Sequence, residues 1–285
     1  MADHILKADT YEKQSAKWRK QNSISDIELT HWLLPKYDGC HAIIDTTTCE
    51  VWSREMKPVL SMRLQAVKVR ELLGPGLMVQ GEAWFPGRDF PTISGQFRQH
   101  EQNDLVFVAF NCLTKEEFEA GYSNAPYHER FDRLFPLYLD KRWPDVTRAQ
   151  HYPAGTYGSS AQRAAQFKDT GTYDGAILAD PWAAWSRGRS RNGELIKVKP
   201  NISLDLRVTK LYCETGEKTG RQVWTADVVY RGVTSRVGSG MPHDADAVPK
   251  VGQIIEVEAM GLTEDGRLRE PRFKSIRHDK EEPDT

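Results

Sequence analysis

Short runs of alternating apolar and polar residues dominate the first two thirds of the chain, interrupted by three stretches of helical period. HWLLPK (31–36), CHAIIDT (40–46) and CEVWS (49–53) have the two-residue alternation of strands, which predicts an antiparallel meander around the turn at Asp38-Gly39. In LSMRLQAVKVRELL (60–73), Leu60, Leu64, Val67 and Leu72 recur on one helical face, and Gly74-Pro75-Gly76 ends that helix. LMVQGEAWF (77–85) and DLVFVAFNCL (104–113) read as strands rich in branched and aromatic residues. YHERFDRLFPLYL (127–139) predicts an amphipathic helix broken at Pro136, and AQRAAQFKD (161–169) predicts another. YDGAILAD (173–180) and GELIKVK (193–199) close this part with strands. The mixed order predicts an α+β domain over residues 1–200.

From Asn201 the texture changes. LDLRVTKLYC, VWTADVVYR, TSRVGSG and IIEVEAMGL are strand-like runs separated by glycine-rich turns. That pattern over residues 201–279 predicts a small all-β barrel of the OB-fold type, with Pro200-Asn201 as the hinge. Residues 280–285 are expected to fray.

Composition narrows the class. With 39% hydrophobic residues, a mean hydropathy of −0.61 and no apolar run long enough to span a bilayer, the chain is expected to be soluble. Its N-terminus, MADHILKADTYEKQ, has no apolar signal region, so the expected location is cytoplasmic, the host cytoplasm if the source is viral. Cys40, Cys49, Cys112 and Cys213 form no C-x-x-C pair, which argues for reduced thiols over a zinc site or disulfides. The net charge of −1 hides 39 basic and 40 acidic residues that can segregate locally. Arg187, Arg189, Arg191, Lys197 and Lys199 form the densest basic cluster, either a solvated loop or a phosphate-binding surface.

Several residues could carry chemistry. Lys36 leaves the apolar run Leu33-Leu34-Pro35 just before Asp38-Gly39; a desolvated lysine can act as a nucleophile, Asp38 could orient it, and Gly39 would admit close backbone approach. Taken alone, K-x-D-G is more often a plain strand end and turn. Glu82 follows Gly81, and Asp174 precedes Gly175; two such carboxylates suit Mg²⁺ beside a triphosphate, or are solvated strand-end acids. Lys197 and Lys199 project to one face of a strand flanked by Leu195, Ile196 and Val198, where an anionic partner such as phosphate would offset their burial. Phe110 could stack on a base, although a core aromatic is the commoner reading.

In this order the residues resemble the covalent nucleotidyltransferase superfamily, and within it the ATP-dependent DNA ligases. The resemblance runs from residue 33 to 277. It rests on Lys36-Tyr37-Asp38-Gly39, Ser53-Arg54, Gly81-Glu82, Phe110, Asp174-Gly175-Ala176-Ile177-Leu178 and Lys197-Val198-Lys199. Asp89 to Gly95, the run from Asp180-Pro181 through Arg187-Gly188 to Pro200, and Asp265 to Arg277 are most similar to the small ligases of short-tailed phages. Two positions depart from the pattern: Leu34 stands where the family has a glutamate that contacts the adenine amino group, and Asp174 replaces a glutamate.

The resemblance implies an ATP-grasp-like nucleotidyltransferase domain followed by an OB-fold, acting as a monomer on nicked duplex DNA. It implies ATP as AMP donor and Mg²⁺, with Mn²⁺ as a substitute. Lys36 would become the AMP acceptor, Asp38, Lys197 and Lys199 would assist, and Glu82 and Asp174 would hold metal. Arg54 and Phe110 would contact the nucleotide. Arg269 and Arg277 would close over the outer phosphates, and Arg187, Arg189 and Arg191 would grip DNA. An RNA ligase or an mRNA capping guanylyltransferase shares most of these motifs, and a non-enzymatic OB-fold binding module is the third alternative.

Overall fold

In the computed structural model, which describes residues 4–140, 142–215, 220, 222–263 and 265–285, the chain divides into two units, Met1–Lys199 and Pro200–Thr285. The first unit is mixed α/β. Its larger sheet has five strands in the spatial order Glu50–Ser53, Cys40–Asp45, Leu77–Trp84, Val106–Thr114 and Val146–Arg148. All neighbours are antiparallel except the last pair. A smaller antiparallel sheet sets Tyr173–Ala179 between Leu195–Val198 and Trp32–Tyr37.

The strand bearing Lys36 therefore pairs with Tyr173–Ala179, not with Cys40–Asp45, and the expected three-strand meander does not form. Asp38-Gly39 is the crossing from the small sheet to the large one. A Cβ on Gly39 would lie 2.3 Å from the Ala83 carbonyl oxygen, so only glycine lets the crossing press against the strand that carries Glu82.

Met62, Ala66, Val69, Ile93, Phe107, Phe131, Leu134 and Leu137 fill the core associated with the larger sheet. The helix Arg63–Leu73 turns an unexpected face inward. Leu60, Leu64 and Val67 are 40%, 47% and 49% exposed, whereas Gln65, Ala66, Lys68 and Val69 are buried. Polar partners explain this: Gln65 Nε2 donates to the Leu105 carbonyl at 2.8 Å, and Lys68 Nζ meets Asp145 at 2.6 Å. The region 127–139 is two helices, Tyr127–Asp132 and Phe135–Leu139, and Pro136 sits in the first turn of the second. Ile27, Leu33, Ala164, Phe167, Leu178 and Ile196 form a second core against the smaller sheet.

The second unit is a five-stranded antiparallel sheet in the order Val233–Val237, Gln222–Tyr230, Ile202–Thr215, Ile254–Ala259, Arg272–Ile276. The 14-residue central strand serves two partners, Ile254–Ala259 with its first half and Gln222–Tyr230 with its second, and a bulge lies between Val208 and Lys210. One isolated bridge, Ser239 to Arg272, links the two edges, and no ladder among the described residues closes the sheet into a barrel. Residues 280–285, expected to fray, run along the central strand: Asp284 N donates to the Asp205 carbonyl at 2.7 Å, and Lys280 Nζ stands 2.5 Å from the Asp205 carboxylate. No described helix is long and apolar enough to cross a membrane.

Candidate active site

A register shift aims Lys36. Pro35 faces Ala176 and Tyr37 faces Tyr173, so Lys36 alone opposes Asp174 and Gly175. Such a bulge redirects a side chain and kinks the strand, and Gly175, at φ +130°, supplies the backbone geometry. The Lys36 ammonium lies 2.8 Å from Asp174 Oδ2, and the Lys199 ammonium lies 2.7 Å from the same oxygen. Burial alone would raise the Asp174 carboxyl, but the two lysines outweigh it and hold it below its ordinary value. Asp38 is exposed, and no ion pair among the described residues joins it to Lys36; Asp174 is the acid that meets the ammonium.

Two ammoniums on one carboxylate leave an excess positive charge, and Lys197 adds another. It sits on the strand Leu195–Val198, whose end Lys199 directly follows, and is paired to Ile177. Burial pushes its pKa down, and Lys199, Lys13 and Lys36 repel its charge while Asp9 attracts it. An anion is the natural complement to this group.

On the larger sheet, Glu82 faces His41 across one strand and Val108 across the other. Burial lifts the Glu82 pKa to about 7 against the pull of Lys36 and Arg54, and no ion pair among the described residues neutralises it. A desolvated carboxylate that has a backbone hydrogen bond from Gly39 and no paired cation among the described residues fits a divalent cation. Asp174 fits less well while two lysines occupy it, and could join such an ion only once a phosphate draws them away. No cluster of three or more metal-ligating side chains occurs among the described residues, so phosphate and water would have to complete the shell.

Phe110 occupies a second bulge. Gln80 faces Asn111 and Gly81 faces Ala109, which leaves Phe110 without a counterpart on the neighbouring strand. A Cβ on Gly81 would lie 2.6 Å from the Phe107 ring and from the Val108 carbonyl. Phe107 is fully buried, whereas Phe110 is half-buried, 5.5 Å from the His41 ring. His41 was not singled out from the sequence. Burial, followed by repulsion from Arg54, drops its pKa to about 3, and its Nε2 has no protein hydrogen-bond partner. Its place opposite Glu82 is set by cross-strand register, for which the sequence carries no local signal.

Leu34 is 4% exposed and packs in the core associated with the larger sheet. Arg54 is exposed and, among the described residues, its one ion pair is with its neighbour Glu55 at 3.3 Å. Arg187 is half-buried and spends its guanidinium on the Phe118 and Glu119 carbonyls and the Phe118 ring. Arg189 and Arg191 have 55% exposed side chains. In the second unit Arg269 is exposed, and Arg277 pairs with Asp205 at 2.8 Å and Asp279 at 2.7 Å.

No protein-family model matches the chain, and no curated protein matches it. Solved structures do. Pmar-Lig is similar at 21% identity and a TM-score of 0.70, covering 97% of this chain and 68% of its own. A structure of the Lig E DNA ligases, described as binding DNA with a minimal scaffold, has 20% identity and a TM-score of 0.67 over 97% of this chain and 100% of its own. The ATP-dependent DNA ligase of bacteriophage T7, solved with ATP, has 19% identity and a TM-score of 0.56 over 96% of this chain and 98% of its own. The chain thus has the fold of ATP-dependent DNA ligases along nearly its whole length.

Proposed function

We propose that the protein is an ATP-dependent DNA ligase that seals nicks through a lysyl-AMP intermediate. The observation that carries this reading is the grouping of Lys36, Asp174 and Lys199, a nucleophile and a phosphate-seeking lysine held by one carboxylate. The likeness to ligases of similar size supports it.

ATP enters with its α-phosphate against Lys197 and Lys199 and its base on Phe110. The phosphate draws the lysines off Asp174. The Lys36 nitrogen, once deprotonated, bonds to the α-phosphorus, the bond to the β-phosphate oxygen breaks, and pyrophosphate leaves with that electron pair. Lys197 and Lys199 hold the negative charge that builds on the non-bridging oxygens. Glu82, joined by Asp174, would hold Mg²⁺, which when bound neutralises charge on the phosphates. AMP then passes to the 5′-phosphate of the nick, and the 3′-hydroxyl displaces it. Arg189 and Arg191 supply exposed charge for duplex phosphates, so binding should weaken steeply with salt. We assign the second unit as an OB-type module whose Arg269 and Arg277 act on the outer phosphates; Arg277 must first give up its carboxylate partners.

The burial of Leu34 keeps the guanylyltransferase alternative in play, because the acid expected at the base is missing. Incubation with labelled ATP or GTP, followed by nicked DNA and nicked RNA, tests the proposal. A lysyl adduct with ATP and sealing of DNA support it, whereas an adduct with GTP alone, or sealing of RNA alone, overturns it.

A further inference from the structure

The strand Leu195–Val198 lies at the edge of the smaller sheet, and its free side is covered by the N-terminal segment. Leu6–Lys7 pairs in parallel with Gly188–Arg189. Asp9 N then donates to the Leu195 carbonyl at 3.3 Å, and Lys197 N donates to the Asp9 carbonyl at 3.0 Å, so the Asp9 backbone brackets Ile196. The zip continues: Ser15 N donates to the Arg191 carbonyl at 2.6 Å, Gly193 N donates to Gln14 Oε1 at 2.9 Å, and Trp18 covers Gly193, where a Cβ would come within 2.2 Å of the ring.

The Asp9 side chain is equally committed. The residue is 1% exposed, its Oδ1 accepts from Thr10 N at 3.0 Å, and Arg189, Lys13 and Arg191 stand 3.4, 3.9 and 4.0 Å from the carboxylate. A buried carboxylate must be matched by cations, and here it gathers Arg189 and Arg191 of the loop leading into the paired lysines together with Lys13 of its own segment. We propose that Asp9 is a positioning residue for Lys197, fixing the peptide of the phosphate-binding strand through its backbone and the cations of the preceding loop through its carboxylate. This makes the N-terminal segment part of the nucleotide site. The inference rests on the nucleotidyl-transfer reading above, with Lys197 as a phosphate ligand.

The test is single-turnover lysyl-AMP formation by the full chain across a range of ATP concentrations, with burst amplitude counting competent sites, for wild type and Asp9→Asn. Asp9→Ser, which retains an oxygen for the Thr10 N–H, is the second variant should the first not fold. The expected result is a half-saturating ATP concentration raised about tenfold at wild-type amplitude, as for a misplaced ligand group. A half-saturation within about twofold of wild type overturns the inference, and so does a loss confined to amplitude, which would reduce Asp9 to a folding role. A wild-type chain that forms no adduct overturns the nucleotidyl-transfer reading itself, and the inference falls with it.

Discussion

The Lys36 ammonium and the Asp174 carboxylate stand 2.8 Å apart, and Lys199 shares the same carboxylate oxygen at 2.7 Å. On the proposed reading, one acid thus keeps the nucleophile and a phosphate ligand together before substrate arrives. Asp174→Asn removes the shared charge, leaves two like-charged ammoniums in contact range and should slow single-turnover adduct formation about a hundredfold. An unchanged rate in rapid-quench experiments would show that the pairing has no part in the reaction.

Glu82 sets a pH dependence. Its pKa is raised to about 7, so under the proposed metal-binding role the carboxylate that would hold a cation appears only as pH climbs through that value. The half-saturating Mg²⁺ concentration for adduct formation should therefore fall as pH rises from below to above about 7, and Glu82→Gln should abolish that trend. The same group affects stability in the opposite direction. Because the folded state holds the proton more tightly than the unfolded chain, its contribution to stability is complete below the ordinary glutamate range and is lost as pH rises through about 7. Thermal melts of wild type and Glu82→Gln over that window check the sign.

Gly39 tests the crossing between sheets. With a Cβ only 2.3 Å from the Ala83 carbonyl, Gly39→Ala must push the turn off the Glu82 strand, at a cost of about 1–3 kcal/mol. A lowered melting temperature should accompany a larger loss of adduct formation than of overall fold.

Leu34→Glu, which restores the residue expected from the family pattern, should not improve use of ATP. The side chain lies in the core, and burying a carboxylate there should cost at least about 2–3 kcal/mol. Calorimetry together with the ATP-to-GTP adduct ratio reads both effects.

The parts of the site visible in the sequence were those set by short spacing. Lys36, Glu82, Asp174 and Lys197 sit on strands whose alternation is plain in the residues, Lys199 directly follows one of those strands, and Gly39 lies just past the end of another. Long-range register was invisible, so the bulge that turns Lys36 toward Asp174 and the pairing of its strand with Tyr173–Ala179 came only from the fold. Asp38 looked like the orienting acid because it is near in sequence; the acid that meets Lys36 comes from 138 positions away. Apolar periodicity misled in Arg63–Leu73, where Gln65 and Lys68 are buried because each finds a polar partner, something composition does not encode. Asp9 and His41 were overlooked because single residues without a motif show their importance only through what the fold places beside them.

The central claim is that Lys36 takes AMP from ATP, and it is tested most directly by mass analysis of the peptide carrying Lys36 after incubation with ATP and Mg²⁺. The account predicts the mass of one AMP on Lys36, lost in Lys36→Ala and discharged by nicked DNA. An AMP adduct on any other residue, or one that persists in Lys36→Ala, would contradict it.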